Sequence, residues 1–183
     1  MLLDAATKLL DEFKKLPAHV ERPQTFMEIA GYPRRENVCS NILKFFMDPE
    51  ESHGLGTLML DALVRAARID VAEGSISSNV SVDRETVTQA GNRIDLLITS
   101  DDHAILIENK IDASSDNPFP EYAAYLDQIA EGREKHKILL TLSQNNAGCG
   151  WGFANLTYTD FVGEIRSLLG RYVSSADTRH LTI

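Results

Sequence analysis

Arg93-Ile94-Asp95-Leu96-Leu97-Ile98 and Ala104-Ile105-Leu106-Ile107-Glu108-Asn109-Lys110-Ile111, joined through Ser100-Asp101-Asp102-His103, decide the fold of this chain. Both runs are apolar, rich in β-branched residues and of strand length, and the polar segment between them is a turn. The pair is a hairpin. Side chains alternate faces along a strand, so Glu108 and Lys110 share one face while Asn109 points to the other. A register that sets Asp95 beside Glu108 brings two carboxylates and an ammonium together on an otherwise apolar sheet. Charges inside apolar strands are costly unless paired or bound to a metal.

Such a cluster suits metal-assisted phosphodiester hydrolysis. Two hard carboxylates, Asp95 and Glu108, with the main-chain carbonyl of Asn109 and water, form an open oxygen site of the kind Mg²⁺ prefers, with Mn²⁺ as a substitute. A metal there polarises the phosphate and acidifies a bound water, and Lys110 orients or deprotonates that water or holds the phosphate. The ordinary alternative is a hairpin whose Asp, Glu and Lys form a salt-bridged, solvated face.

Asp95, then Glu108-Asn109-Lys110 after twelve intervening residues, resembles the PD-(D/E)XK nuclease superfamily, in an ENK form of the motif. The surrounding order of elements, α-β-β-β-α-β, is the one that family uses. The resemblance implies an α/β fold of three layers, α/β/α, restriction-endonuclease-like with a mixed central sheet. It also implies metal-dependent cleavage of DNA, in DNA processing or in bacterial defence against foreign DNA.

Upstream, a helix begins near Arg35. Cys39, Ile42, Leu43, Phe46 and Met47 project onto one arc of it, and Glu36 falls within that arc. An acid in the first turn of a helix complements the macrodipole, which is a sufficient reason for Glu36 to be there. Arg35-Glu36-Asn37, Ser40-Asn41-Ile42-Leu43 and Phe46-Met47-Asp48-Pro49, followed by His53-Gly54, resemble a bacterial branch of the same family. Through that resemblance Glu36 becomes a candidate third carboxylate of the metal site and a fourth catalytic residue with Asp95, Glu108 and Lys110. His53, alone in a loop before glycine, reads as structural.

Further along, Leu55, Met59, Ala62, Leu63 and Ala66 mark a second helix, and Asn79–Thr88 alternates as a first strand that turns through Gln89-Ala90-Gly91-Asn92. Glu85 on that strand reads as exposed or paired, and would reach the site if its face matched that of Asp95. Asp112–Asn117 is a polar loop. Phe119, Tyr122, Leu126 and Ile129 then form a helical stripe, and Lys137–Leu142 is a buried strand parallel to the one carrying Glu108, because a helix crosses between them. Glu121, Tyr125 and Gln128 lie on the other face of that helix, which reads as solvated. Related nucleases often place a glutamine four residues before a tyrosine, where this chain has Glu121, so a part for these three in metal or phosphate binding stays open. Asn155–Tyr158 is an edge strand, and a helix from Asp160, its N-cap, runs to about Tyr172. The Gly-rich stretch Ala147–Gly152 lacks the Lys-Ser/Thr ending of a phosphate loop.

The 183 residues are read as one domain, 1–183, with an amphipathic helix over 2–16, an irregular stretch from Pro17 to Pro33 and a frayed tail over 174–183. A chain of this length buries about 70 % of its unfolded surface. Eighteen basic against 27 acidic residues leave a net charge of −9, and no Lys/Arg-rich run occurs. That balance argues against a broad standing DNA-binding surface, since phosphate neutralisation dominates non-specific affinity. With DNA as the partner, a homodimer or a further domain would supply the missing basic surface. Cys39 and Cys149 have no disulfide or zinc spacing and suit a reducing cytoplasm; no membrane span is expected. A binding or scaffolding module on the same fold, and an RNA-cleaving nuclease, are the alternative functions.

Overall fold

The computed structural model describes residues 26–32, 35–72, 74–111 and 117–173. The chain divides into two compact units, Met1–Pro33 and Arg34–Ile183. In the first, Phe26–Ile29 forms a single helical turn inside the stretch expected to be irregular. It ends at Gly31, whose φ of 80° is the left-handed conformation in which helices commonly stop. The expected helix over 2–16, the tail over 174–183 and residues 112–116 of the polar loop lie outside the described residues.

The second unit runs α1 (Glu36–Met47), α2 (Leu58–Ala66), β1 (Ser81–Val87), β2 (Arg93–Thr99), β3 (His103–Lys110), α3 (Phe119–Ile129), β4 (Glu134–Thr141), β5 (Ala154–Thr157) and α4 (Tyr158–Tyr172). The strands form one sheet in sequence order. β1, β2 and β3 are antiparallel neighbours, whereas β4 and β5 extend the sheet in parallel. The change of direction follows from the connections. Two short turns make the meander, and α3 is the crossover that a parallel β3–β4 pair requires.

Each face of the sheet is apolar and each is covered. On one side Leu43 and Met47 of α1, Leu60 and Leu63 of α2, and Phe161 and Leu168 of α4 pack on Leu96, Ile105, Ile107 and Leu140. On the other, Phe119, Tyr122 and Leu126 of α3 cover Leu97, Leu106 and Leu139. The result is the mixed, three-layer α/β/α fold that the pattern of elements predicts. Each fully buried leucine or isoleucine contributes roughly 1.5–3 kcal/mol, so the six buried strand leucines and isoleucines from Leu96 to Ile107 anchor the hairpin.

Several boundaries differ from the sequence pattern for identifiable reasons. β4 begins at Glu134 rather than Lys137, since its first residues are polar and exposed or half-buried and gain their conformation from pairing with β3. α2 begins at Leu58 rather than Leu55, although Leu55 is buried in the preceding loop. Thr157, not Asp160, caps α4. Its hydroxyl oxygen accepts the Asp160 N–H at 3.1 Å, and the hydroxyl donates to the Asp160 carboxylate at 2.7 Å.

Candidate active site

The β2–β3 ladder runs from Thr99↔Ala104 to Leu96↔Ile107, so Asp95 and Glu108 come next, just beyond its last pair. The Asn109 N–H donates to Asp95 Oδ2 at 2.8 Å, which holds the carboxylate over the end of β3. Lys110 Nζ lies 3.2 Å from Glu108 Oε1, as expected for residues two apart on one face. The Asn109 side chain turns to the opposite face. There its amide donates to Ser40 Oγ at 3.0 Å and to the Glu36 carbonyl at 3.3 Å, and its oxygen accepts the Tyr158 hydroxyl at 2.7 Å.

Those bonds dock the first turns of α1 on the sheet, and Glu36 is the helix's first residue. Its Oε1 accepts the Ile111 N–H at 3.0 Å and its Oε2 lies 3.7 Å from Lys110 Nζ. The Glu36 side chain therefore reaches the end of β3 rather than capping its own helix. The buried stripe of α1 is Ser40, Leu43 and Met47, whereas Ile42, placed on the apolar arc by the sequence pattern, is exposed and Cys39 is half-buried. A serine takes the core position because Asn109 satisfies its hydroxyl.

Glu108 is 3 % exposed, and its Oε2 is buried with no hydrogen-bond partner. Burial, and then the neighbouring Asp95 carboxylate, push its carboxyl up to about 8, against the pull of Lys110. Burial likewise raises Asp95, opposed by the Asn109 N–H and by Lys110. For Lys110, burial disfavours the ammonium, but Glu108 and Glu36 outweigh it and hold the group above its ordinary value. Three ionised carboxylates would carry more negative charge than one lysine neutralises, so without a further cation the site favours protonation of Glu108. An orphaned buried acceptor costs about 1–3 kcal/mol, and this one belongs to a set of hard oxygens that fits a divalent cation such as Mg²⁺ or Mn²⁺. Asp95, Glu108 and Glu36 are nevertheless no closed trio. Among the described residues the one trio of ligand-type side chains whose atoms all lie within 4.8 Å is elsewhere, and the Lys110 ammonium contacts both Glu108 and Glu36.

The ladder is distorted opposite Asp95. Glu85 lacks a partner between Arg84↔Leu96 and Thr86↔Ile94, and has a φ of 54°. That conformation costs about 1–2 kcal/mol for a residue with a Cβ. Strand alternation breaks at the same level, because Ile94 packs with Leu97 on the α3 side while Leu96 faces the other core. Such irregularities re-aim side chains next to sites. The Glu85 carboxylate pairs with Arg84 at 3.1 Å and Arg93 at 3.6 Å, the paired state its pattern predicts. Arg84 also donates to the Asn37 carbonyl at 3.0 Å, tying β1 to α1.

Glu121, Tyr125 and Gln128 do not form a merely solvated face. Glu121 accepts from the Thr88 hydroxyl and the Asn92 amide, and Gln128 accepts from Gln89 at 3.1 Å, so α3 holds the β1–β2 turn through them. Tyr125 packs at the edge of the α3 core. His53 is fully buried and structural: its Nδ1 accepts the Leu55 N–H, and its Nε2 meets the Asp48 carbonyl, both at 2.9 Å. Ser40, Arg84 and Tyr158, which the sequence pattern did not single out, position the site. A buried hydroxyl on an apolar helix stripe was the available sign of Ser40; Arg84 and Tyr158 had none.

No curated protein matches the chain. Among solved structures it is similar to the small subunit of the heterodimeric restriction endonuclease R.BspD6I, with 16 % identity, 77 % of this chain and 83 % of that one covered, and a TM-score of 0.41. It is also similar to a repair endonuclease from Pyrococcus abyssi, with 19 % identity, 60 % of this chain covered and a TM-score of 0.33; the chain spans 48 % of that protein. The model of the PD-(D/E)XK nuclease superfamily matches residues 25–169. Because that match takes in the whole sheet and extends into the last helix, the chain belongs to the PD-(D/E)XK nuclease superfamily.

Proposed function

We propose that this protein is an Mg²⁺-dependent endonuclease that hydrolyses DNA phosphodiester bonds, with Mn²⁺ able to replace Mg²⁺. The observation that carries this reading is the buried, unpartnered Glu108 Oε2 beside Asp95 and Lys110. Nucleases of this superfamily generally depend on a divalent metal. Asp95, Glu108 and the Asn109 carbonyl would hold it, and Glu36 would complete the shell through an intervening water. When bound, the metal supplies Lewis-acid polarisation of the phosphate and a water of lowered pKa.

The chain's own groups do the rest. The Asn109 N–H fixes one oxygen of Asp95 and so sets the direction of the other. Glu108 and Glu36 together hold the Lys110 ammonium charged at the mouth of the site, where it meets a phosphate oxygen and orients the attacking water. Tyr158 and Ser40 hold Asn109, and through it the strand end, in place. A scaffolding module would gain stability by replacing Glu108 with an apolar residue, so retention of the charge favours the enzyme.

The net charge of −9 makes a second copy or another domain the source of basic surface for DNA. Among the described residues no helix is long and apolar enough to cross a membrane, and free Cys39 and Cys149 suit the cytoplasm. A role in DNA processing or in defence against foreign DNA is in keeping with this chemistry. The test is plasmid cleavage with Mg²⁺ or Mn²⁺. Asp95→Ala, Glu108→Ala and Lys110→Ala should each lose on the order of 10²-fold or more while staying folded by circular dichroism. Near wild-type cleavage by any folded one of them would remove the proposed site, and RNA cleavage without DNA cleavage would change the substrate.

A further inference from the structure

At the opposite end of β3, His103 faces two residues of β4. The β3–β4 register pairs His103 with Glu134 and Ile105 with His136, and residues two apart on a strand share a face. His103 Nδ1 lies 3.3 Å from His136 Nε2 and 3.8 Å from Glu134 Oε2, and the three ligand atoms all fall within 4.8 Å. We propose that His103, Glu134 and His136 form a second metal site, selective for a divalent transition ion of the Zn²⁺ class and distinct from the proposed nuclease site.

The donor set and its geometry carry the assignment. Two imidazole nitrogens at about 2.0–2.1 Å from a tetrahedral Zn²⁺ stand about 3.3–3.4 Å apart, which matches the observed pair. Without a metal, the same two ring nitrogens share a hydrogen bond at 3.3 Å, and an ion would take the place of its proton. Imidazole suits Zn²⁺, Co²⁺, Ni²⁺ and Cu²⁺ and is a poor ligand for Mg²⁺. Burial, reinforced by His103, lowers His136, which favours the neutral, ligating form. His103 is buried and Glu134 is largely exposed, so the carboxylate can turn inward and an ion can enter from solvent. With three protein ligands, the fourth position is open to water.

His103 and Glu108 are five residue steps apart along β3, about 17 Å, so a metal here would not reach the nuclease site. It would clamp the beginnings of β3 and β4 where the chain leaves the crossover helix. Glu134 already ties that point through its N–H, which donates to the Asp102 carbonyl at 2.7 Å.

The experiment titrates the metal-stripped full chain with Co²⁺ in excess Mg²⁺. One Co²⁺ per chain should bind with the strong visible absorption of a tetrahedral centre, Zn²⁺ should displace it, and Zn²⁺ should raise the melting temperature. Glu134→Gln and His136→Gln change side chains that reach solvent and should leave the fold intact, yet each should weaken Co²⁺ binding at least about tenfold. Asp95→Asn should leave it unchanged. A weak octahedral spectrum, unchanged affinity in either β4 variant, or loss of binding in Asp95→Asn would overturn the assignment, and the last result would move the ion to the nuclease site.

Discussion

Glu108→Gln probes the most unusual group in the protein, a carboxyl that is almost wholly buried and pushed up to about 8. Glutamine keeps the shape and removes the titrating proton. In the wild-type chain without metal, the folded carboxyl stays protonated up to about pH 8, while the unfolded one loses its proton near 4.5. The folded state binds more protons between those values, so stability must fall as pH rises through that window. The interval, at about 1.4 kcal/mol per pH unit, sets a ceiling of about 5 kcal/mol. Asp95 and Lys110 share the titration, so the loss belongs to the three groups together and stays below that ceiling, on the order of a few kcal/mol. Urea denaturation in EDTA from pH 5 to 9 measures it. The wild type should lose that much stability across the range and recover it at the alkaline end on adding Mg²⁺. Glu108→Gln should show a much flatter profile, exceed the wild type near pH 9 in EDTA, and gain little from Mg²⁺. Parallel profiles for the two proteins would refute the idea that a buried, uncompensated carboxylate sits at this position.

Glu36→Gln keeps an acceptor for the Ile111 N–H but removes the charge that faces Lys110, so it should raise the Mg²⁺ concentration needed for cleavage while shifting melting little; an unchanged metal requirement would return Glu36 to a helix-dipole role. Tyr158→Phe deletes the hydroxyl that Asn109 accepts, and should cost about 1 kcal/mol of stability and lower cleavage severalfold at saturating metal, read by thermal denaturation and single-turnover kinetics; full activity would show that the strand end needs no such support. With net charge −9, the isolated chain should bind DNA weakly in EDTA and better with Ca²⁺, which neutralises Asp95 and Glu108; tight, strongly salt-dependent binding in EDTA, measured by fluorescence anisotropy, would instead reveal a basic groove.

The three-layer arrangement matters for the site because β3 leaves the apolar core at the Glu108 end of the β2–β3 hairpin. Glu108 sits one residue beyond Ile107, which is fully buried, and Lys110 two residues further on is half-buried. The strand carries the acid from the core to the rim, and that short distance both raises the carboxyl and leaves it within reach of solvent ions. The distortion at Glu85 lies at the same level on β1, and its ion pairs with Arg84 and Arg93 offset part of the cost of its backbone conformation.

Local chemistry was enough to write the order of elements, the mixed sheet and the shared face of Glu108 and Lys110. Strand alternation, turn composition and the crossover requirement act over a few residues, and each is legible in one dimension. The positions of Asp95 beside β3 and of Glu36 beside Lys110 were legible only as possibilities, because register and helix docking depend on segments 13 and 74 residues apart in sequence. Tertiary structure decided the rest. It placed Ser40 and Tyr158 around Asn109, used Glu121 and Gln128 to hold a turn, moved the α4 cap to Thr157, and brought His103 to His136 across a parallel ladder. Apart from the hydroxyl of Ser40 on its apolar stripe and the Thr157-x-x-Asp160 spacing of the cap, these have no local signature, since a polar side chain acquires its role from the partner that satisfies it, and that partner is chosen by the packing of distant elements.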